Sequence, residues 1–290
     1  MGAKIIVIEF LKKIPALRII VRCIRNSILL RAYRRREFAL SYYRPQLKYI
    51  RGWIWKRTEN LNFYYGISEL NKVHLAHILS HILKTSYEQI LGYFHELESD
   101  EDLKKHIELG LKEYGQDFTR IEFGRRLGWY AVVRALKPNL VVETGVDQGV
   151  GACVLTSALL RNHAEGSSGT YIGTDISQNA GNLLSGKYKS MGKIMFGDSI
   201  ESLNKLTDKI GVFINDSDHS AEYEAAEYET VTRLLSDNCV LIGDNSHVTT
   251  KLSEYSRKHG RDFLFFSEKP KNHWYPGAGI GFSFEKNAVK

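Results

Sequence analysis

Five acids stand where apolar runs end: Glu143 in VVET, Asp175 in IGTD, Asp198 in FGDS, Asp216 in FIND and Asp244 in LIGD. If those runs are strands of one parallel sheet, their carboxyl ends share an edge, which is where open α/β sheets bind ligands. Clustered carboxylates repel one another unless a positive charge or many hydrogen-bond donors sit among them. The edge is therefore expected to hold a cation, a hydroxyl-rich ligand, or both. Any one of these acids could instead cap a helix, but five in a row are harder to explain that way. Glycines bring backbone to the same place. The first run continues as VVETGVDQGVGA, in which Gly145, Gly149 and Gly151 permit a tight turn and close approach of a ligand to the next helix. A dehydrogenase loop reads G-x-G-x-x-G after the strand, whereas this one reads E-x-G-x-x-x-G-x-G. An acid ahead of the first glycine suits a ligand carrying an amino group better than one carrying pyrophosphate.

The elements needed to position these residues are legible after Lys137-Pro138. Strand-like runs cover 140–144, 170–175, 193–198, 212–216 and 239–244, with helical stretches between most of them. That alternation predicts an α/β fold, a doubly wound, Rossmann-like, mostly parallel seven-stranded sheet. The last two runs, 262–268 and 279–285, have only a loop containing NHWYPGA between them and should pair as an antiparallel hairpin at one sheet edge. Residues 58–119 read as a helical cap, with helix starts at Ser86 and at the acids Asp100 to Asp102. His74, His77 and His81 fall on one face there; without a Cys or carboxylate at ligand spacing they read as a solvated or interface face. Three units are expected: 1–57, 58–119 and 120–290.

The net charge of +7 over 290 residues is unevenly spread: residues 1–57 carry +13, which leaves −6 on the rest. A helix starting at Pro15 would place Arg18, Arg22 and Arg25 on one face and Ile19, Ile20, Cys23 and Ile24 on the other. A spanning helix would carry those arginines into hydrocarbon at ~2.5 to 3.5 kcal/mol each. The segment at 15–36 is instead expected to lie on an anionic membrane surface or to pack on its own domain. Cys23, Cys153 and Cys239 show no paired spacing, no signal peptide is expected, and a reducing cytoplasm fits best.

With these residues in view, the chain resembles the class I S-adenosylmethionine-dependent methyltransferases over roughly 120–290. The resemblance implies that Glu143, Gly145 and Gly149 hold the methionine part of the cofactor, that Asp175 binds the ribose hydroxyls and that Asp198 lies beside adenine. Asp147 replaces the usual middle glycine and is expected to tighten the cofactor pocket. A narrower resemblance, in FINDSDHSAEYEAAEYETVTRLLSDNCVLIGDN, is to the metal-dependent O-methyltransferase branch of catechol, caffeoyl-CoA and macrolide sugar enzymes. It implies a divalent cation on Asp216, Asp244 and Asn245, with Asp216 also beside the cofactor, and a base at His219.

Two carboxylates and an amide suit a hard cation such as Mg2+. A hydroxyl with a water-like pKa of ~15.7 lies roughly 12 kcal/mol beyond the reach of an ordinary histidine at ~6.5. A cation that stabilises the developing alkoxide would close that gap, with His219 taking the proton. Asp218 reads as a supporting group or an N-cap. His247, His273, Trp274 and Tyr275 are candidates to line the acceptor pocket, and the aromatic ones could equally be core. The sequence thus predicts a metal-dependent O-methyltransferase acting on a sugar, glycolipid-precursor or natural-product hydroxyl. A nucleic-acid methyltransferase with a basic arm and a non-catalytic scaffold are the rival readings. No nucleic-acid signature accompanies the basic segment, and a homo-oligomer is left open.

Overall fold

A computed structural model describes residues 27–56, 65–115, 120–244 and 246–286. The chain divides into two units, residues 1–55 and 56–290. In the first, helix α1 (Ile28–Trp53) carries Arg31, Arg34, Arg35, Arg36, Arg44, Lys48 and Arg51 against a single acid, Glu37, and buries no residue. Glu37 is bracketed by Arg36 at 2.9 Å and Arg44 at 2.8 Å. The helix start expected at Pro15, with Arg18, Arg22, Cys23 and Arg25, lies outside the described residues.

The second unit opens with helices α2 (Glu69–Leu83), α3 (Tyr87–Glu98) and α4 (Glu101–Glu113). Ser68, Ser86 and Asp100 cap them by accepting from the backbone N–H three residues on, which satisfies donors that a helix start leaves free. His74, His77 and His81 are exposed; His77 stacks on Tyr87 at 4.5 Å and His81 meets the edge of Phe284 at 6.2 Å. Helix α5 (Arg126–Leu136) leads into the sheet.

The strands are β1 (Leu140–Thr144), β2 (Thr170–Asp175), β3 (Gly192–Phe196), β4 (Ile210–Asn215), β5 (Leu235–Gly243), β6 (Asp262–Ser267) and β7 (Gly279–Phe284). Their order is β3-β2-β1-β4-β5-β7-β6. The first five are parallel, and β7 lies antiparallel between β5 and β6. The expected doubly wound sheet with a terminal hairpin is therefore the one observed. The strand edges differ from the expected runs in one useful respect: β3, β4 and β5 stop before Asp198, Asp216 and Asp244, which places those acids in the loops above the edge. The remaining elements are α6 (Val150–Ala164), α7 (Gly186–Lys189), α8 (Ser199–Asn204), α9 (Ala221–Val231) and α10 (Lys251–Lys258).

Alternation along each strand feeds two cores. Val141, Val212, Ile214, Val240 and Ile242 face one layer, together with Leu75, Leu79, Ile90, Phe94, Leu103 and Ile107 of α2 to α4. Val142, Phe213, Cys239 and Leu241 face the other, with Leu203, Tyr228, Val231 and Leu252. The helical region at 58–119 thus shares the sheet's core wherever it is described. Buried Arg134 ties three of its neighbours together, reaching Glu96 on α3 and Asn162 and Glu165 at the end of α6.

Candidate functional site

A cavity of about 900 Å3 opens above the carboxyl ends of β1, β2, β4 and β5. It is lined by Glu143, Gly145, Asp175, Asp198, Asp216 and Asp244, so the strand-end acids do share one edge. The first glycine has a definite steric reason. Gly145 has φ +81°, and a Cβ there would stand 2.0 Å from the Asp216 carbonyl oxygen. Gly149, with φ +99°, begins α6. Asp147 takes a left-handed φ of +47°, a conformation glycine adopts freely and Asp tolerates better than most residues. Its side chain is exposed on this loop.

Asp175 holds the loop in place. Its Oδ2 accepts from the N–H groups of Val146 and Asp147, both at 2.9 Å, and Oδ1 accepts from Ser177 N at 2.8 Å. A carboxylate has about four acceptor positions, so one remains for a ligand. Asp198 caps α8 through Glu201 N at 2.9 Å and accepts from Tyr223 OH at 2.8 Å. Those hydrogen bonds, the Glu201 N–H first, keep its carboxyl below the usual range. Under the floor lies a group that sequence reading passed over. Fully buried Glu227 accepts from Thr144 Oγ1 at 3.0 Å, Ser217 Oγ at 2.8 Å, Asn215 Nδ2 and Ser199 Oγ, joining β1, β4 and α8. The available signal was polar Thr144, Asn215 and Ser217 at strand ends, which need a buried partner.

Glu143 is buried, accepts from Tyr171 OH at 2.5 Å and sits under Gly151, whose Cβ would fall 2.2 Å from its Oε1. Burial pushes the Glu143 carboxyl up to about 8, against the pull of Tyr171 and the nearby Arg126 charge. Arg126 also lines the cavity, and its Nε is buried without a hydrogen-bond partner among the described residues. One end of the cavity therefore presents an acid and a guanidinium side by side.

The Asp216 and Asp244 carboxyls hydrogen-bond to each other. Burial and the Asp244 charge drive Asp216 well above the ordinary carboxylate value. Asp244 goes the other way: burial would raise it, but Arg125 overcomes burial and holds it low. Arg125 Nε donates to Asp244 Oδ1 at 2.5 Å and Nη2 donates to Oδ2. The expected divalent cation on Asp216, Asp244 and Asn245 does not fit this arrangement. Both oxygens of Asp244 already face a guanidinium, and a metal ion at that carboxylate would sit against a fixed positive charge. Among the described residues no group of three His, Cys, Asp or Glu is placed to hold a metal, and Asn245 lies outside them.

His219 is exposed in the segment between β4 and α9 and lines the cavity, as does exposed His247. Asp218 accepts from Ser220 N at 2.9 Å, a local turn contact ahead of α9. Of the terminal loop, Tyr275 reaches the cavity, but His273 and Trp274, expected to line it, do not. His273 Nδ1 accepts from Tyr275 N at 2.9 Å and its ring packs 5.2 Å from Tyr65 and 5.5 Å from Trp274, so these rings back Tyr275 instead.

A family model described as a methyltransferase domain matches residues 142–246, the part of the chain that forms this edge. No curated protein matches the sequence. Among solved structures, the chain is similar to the O-methyltransferase TomG from Streptomyces achromogenes, involved in tomaymycin synthesis and in complex with SAM, at 12% identity, covering 65% of this chain and 91% of that one with a TM-score of 0.49. An O-methyltransferase from Bacillus cereus in complex with SAH has 13% identity, with 75% and 99% covered and a TM-score of 0.48. A putative O-methyltransferase from Klebsiella pneumoniae has 12% identity, with 65% and 91% covered and a TM-score of 0.49.

The state of Glu143 has a measurable consequence. Its value rises from 4.5 unfolded to about 8 folded, so the unfolded chain loses this proton first. The stabilisation it offers is present below pH 4.5 and is lost as pH climbs toward 8, at up to about 1.36 kcal/mol per unit. Glu143→Gln keeps an acceptor for Tyr171 and removes the titration. Urea unfolding should show the variant gaining on the wild type by at least ~2 kcal/mol between pH 5 and pH 8; parallel pH profiles would contradict this.

Proposed function

We propose that this chain transfers the methyl group of S-adenosylmethionine to a hydroxyl oxygen of a small-molecule or glycan acceptor. The observation that carries the reading is the charge layout of one cavity: an acid and a guanidinium together at the glycine loop, two further acids at the ends of β2 and β3, and a histidine at the rim. Glu143 and Arg126 suit the ammonium and carboxylate of an amino-acid moiety. The open acceptor position on Asp175 suits a ribose hydroxyl, and Asp198 and exposed Ile176 suit the base. The start of α6 leaves backbone N–H groups directed at the same space. When bound, the cofactor supplies an electrophilic methyl group on a sulfonium.

The chain's own residues then orient and deprotonate the acceptor. Tyr275 and His247 give the acceptor a half-aromatic wall. His219 takes the proton from the acceptor hydroxyl on a ring nitrogen as the oxygen gains its new bond, which spares the reaction a free alkoxide. Isothermal calorimetry should show one site for S-adenosylhomocysteine in the wild type, weakened at least about tenfold in Asp175→Ala. His219→Ala should leave that affinity intact and lower kcat by about 10² or more. No binding by the wild type would overturn the reading and favour a non-catalytic scaffold.

We also infer that residues 15–36 dock the chain on an anionic membrane surface from the cytoplasmic side. The described part, from Ile28, is helical, exposed and basic, with Tyr33 and Phe38 beside Arg34, Arg35 and Arg36. No helix among the described residues is long and apolar enough to cross a membrane. Cys153 and Cys239 are free and buried, as suits a reducing compartment. Sedimentation with phosphatidylserine vesicles should fall several-fold when Arg34, Arg35 and Arg36 are all changed to Glu, at about 1 kcal/mol per basic residue, with no change in cofactor affinity. Equal sedimentation of the two proteins would contradict docking.

A further inference from the structure

We propose that Arg125 is the resident cation of the Asp216–Asp244 pair, and that this chain works without a divalent metal ion at the ends of β4 and β5. Three observations carry the proposal. The first is saturation: Arg125 makes a two-pronged contact with Asp244 through Nε and Nη2, and its Nη1 donates to Glu268 Oε2 and Tyr65 OH, both at 3.3 Å. The second is anchorage. Arg125 N donates to Glu268 Oε1 at 2.9 Å, and Glu268 also accepts from Tyr65 OH at 2.8 Å. Glu268 closes the hairpin loop, its own N–H donating to Ala278 O at 3.0 Å. The guanidinium is thus fixed at both the main chain and the side chain.

The third observation is burial. The Arg125 side chain is 14% exposed, and those of Asp244 and Glu268 are fully enclosed. Swinging the guanidinium out to admit a metal would strip two enclosed carboxylates of their hydrogen-bonded counter-charge and leave Asp244 only the more distant Arg126, which is the expensive way to break a buried pair. Leaving it in place sets a doubly charged ion beside a fixed positive charge. Mg2+ in particular needs near-octahedral oxygen donors and gives up its waters reluctantly, and this pair offers it little.

Arg125 therefore does for the carboxylate pair what a bound ion would do, and does it permanently. It neutralises Asp244 and fixes the end of β5 against Glu268 of the hairpin loop, beside Asp216 at the start of the segment that carries His219. Arg125 acts here as a positioning residue, and the acceptor oxygen is activated by proton removal alone. The last point rests on the methyl-transfer reading; the claim about the cation does not.

The test uses the full chain and Mn2+ as probe, with free ion followed by electron paramagnetic resonance. The wild type should show no stoichiometric Mn2+ binding up to about 1 mM. Arg125→Ala, checked for fold by circular dichroism, should bind Mn2+ at least about tenfold more tightly than the wild type, and adding Asp244→Asn should remove the gain. Stoichiometric Mn2+ binding by the wild type that Asp244→Asn abolishes would overturn the proposal. So would a folded Arg125→Ala with no gain. The wild-type arm needs no variant, so a misfolded Arg125→Ala does not shield the proposal. S-adenosylhomocysteine affinity measured on the same samples separates the two readings, since its absence would strike the cofactor assignment and leave the cation claim standing.

Discussion

Bringing strand-end acids to one sheet edge creates an electrostatic problem, and the ion pair between Arg125 and Asp244 is its solution in this chain. The two acids at the tips of β4 and β5 are close enough to hydrogen-bond, in surroundings that penalise each charge. A guanidinium placed ahead of α5 makes the arrangement tolerable. Because the same guanidinium also reaches Glu268, it links the parallel part of the sheet to the antiparallel hairpin. The mouth of the cavity is in this sense a product of charge compensation as much as of topology.

The rest of the site is held by groups that spend most of their hydrogen-bonding capacity on the protein itself. Asp175 fixes the glycine loop, Glu227 ties the undersides of β1, β4 and α8, and Asp198 caps α8. Such pre-paired carboxylates leave only a few acceptor positions facing the cavity, which favours a ligand with few, well-placed donors. Glu143 is the exception, since burial raises its carboxyl to about 8, a value that a bound ammonium would pull down again, and its second oxygen lies under Gly151.

Much of this was legible in the sequence, because strand boundaries depend on local alternation. The β1 and β2 runs coincide with the expected residues, and the hairpin follows from a loop with no room for a helix. The five acids were legible for the same reason: each ends a run. What escaped was every partner brought in from far along the chain. Arg125 meets Asp244 across 119 positions and Glu268 across 143. In the sequence it is one of two adjacent arginines, Arg125 and Arg126, indistinguishable from a solvated pair. The pattern of carboxylates called for a cation, a hydroxyl-rich ligand, or both, but spacing along the chain carries no information on whether a compensating charge is a metal ion or a side chain. His273 and Trp274 show the same limit, since a loop's composition does not tell which of three adjacent rings faces the cavity and which two support it.

The edge above β1, β2 and β4 is proposed as a nucleoside-sulfonium site. A crystal structure of the full chain grown with S-adenosylhomocysteine tests it most directly. The amino-acid end of that molecule is expected between Glu143 and Arg126, its ribose against Asp175, and its sulfur facing the side of the cavity where His219 stands. A molecule bound elsewhere, or one lying in the cavity with its amino-acid end at Asp198, would contradict it.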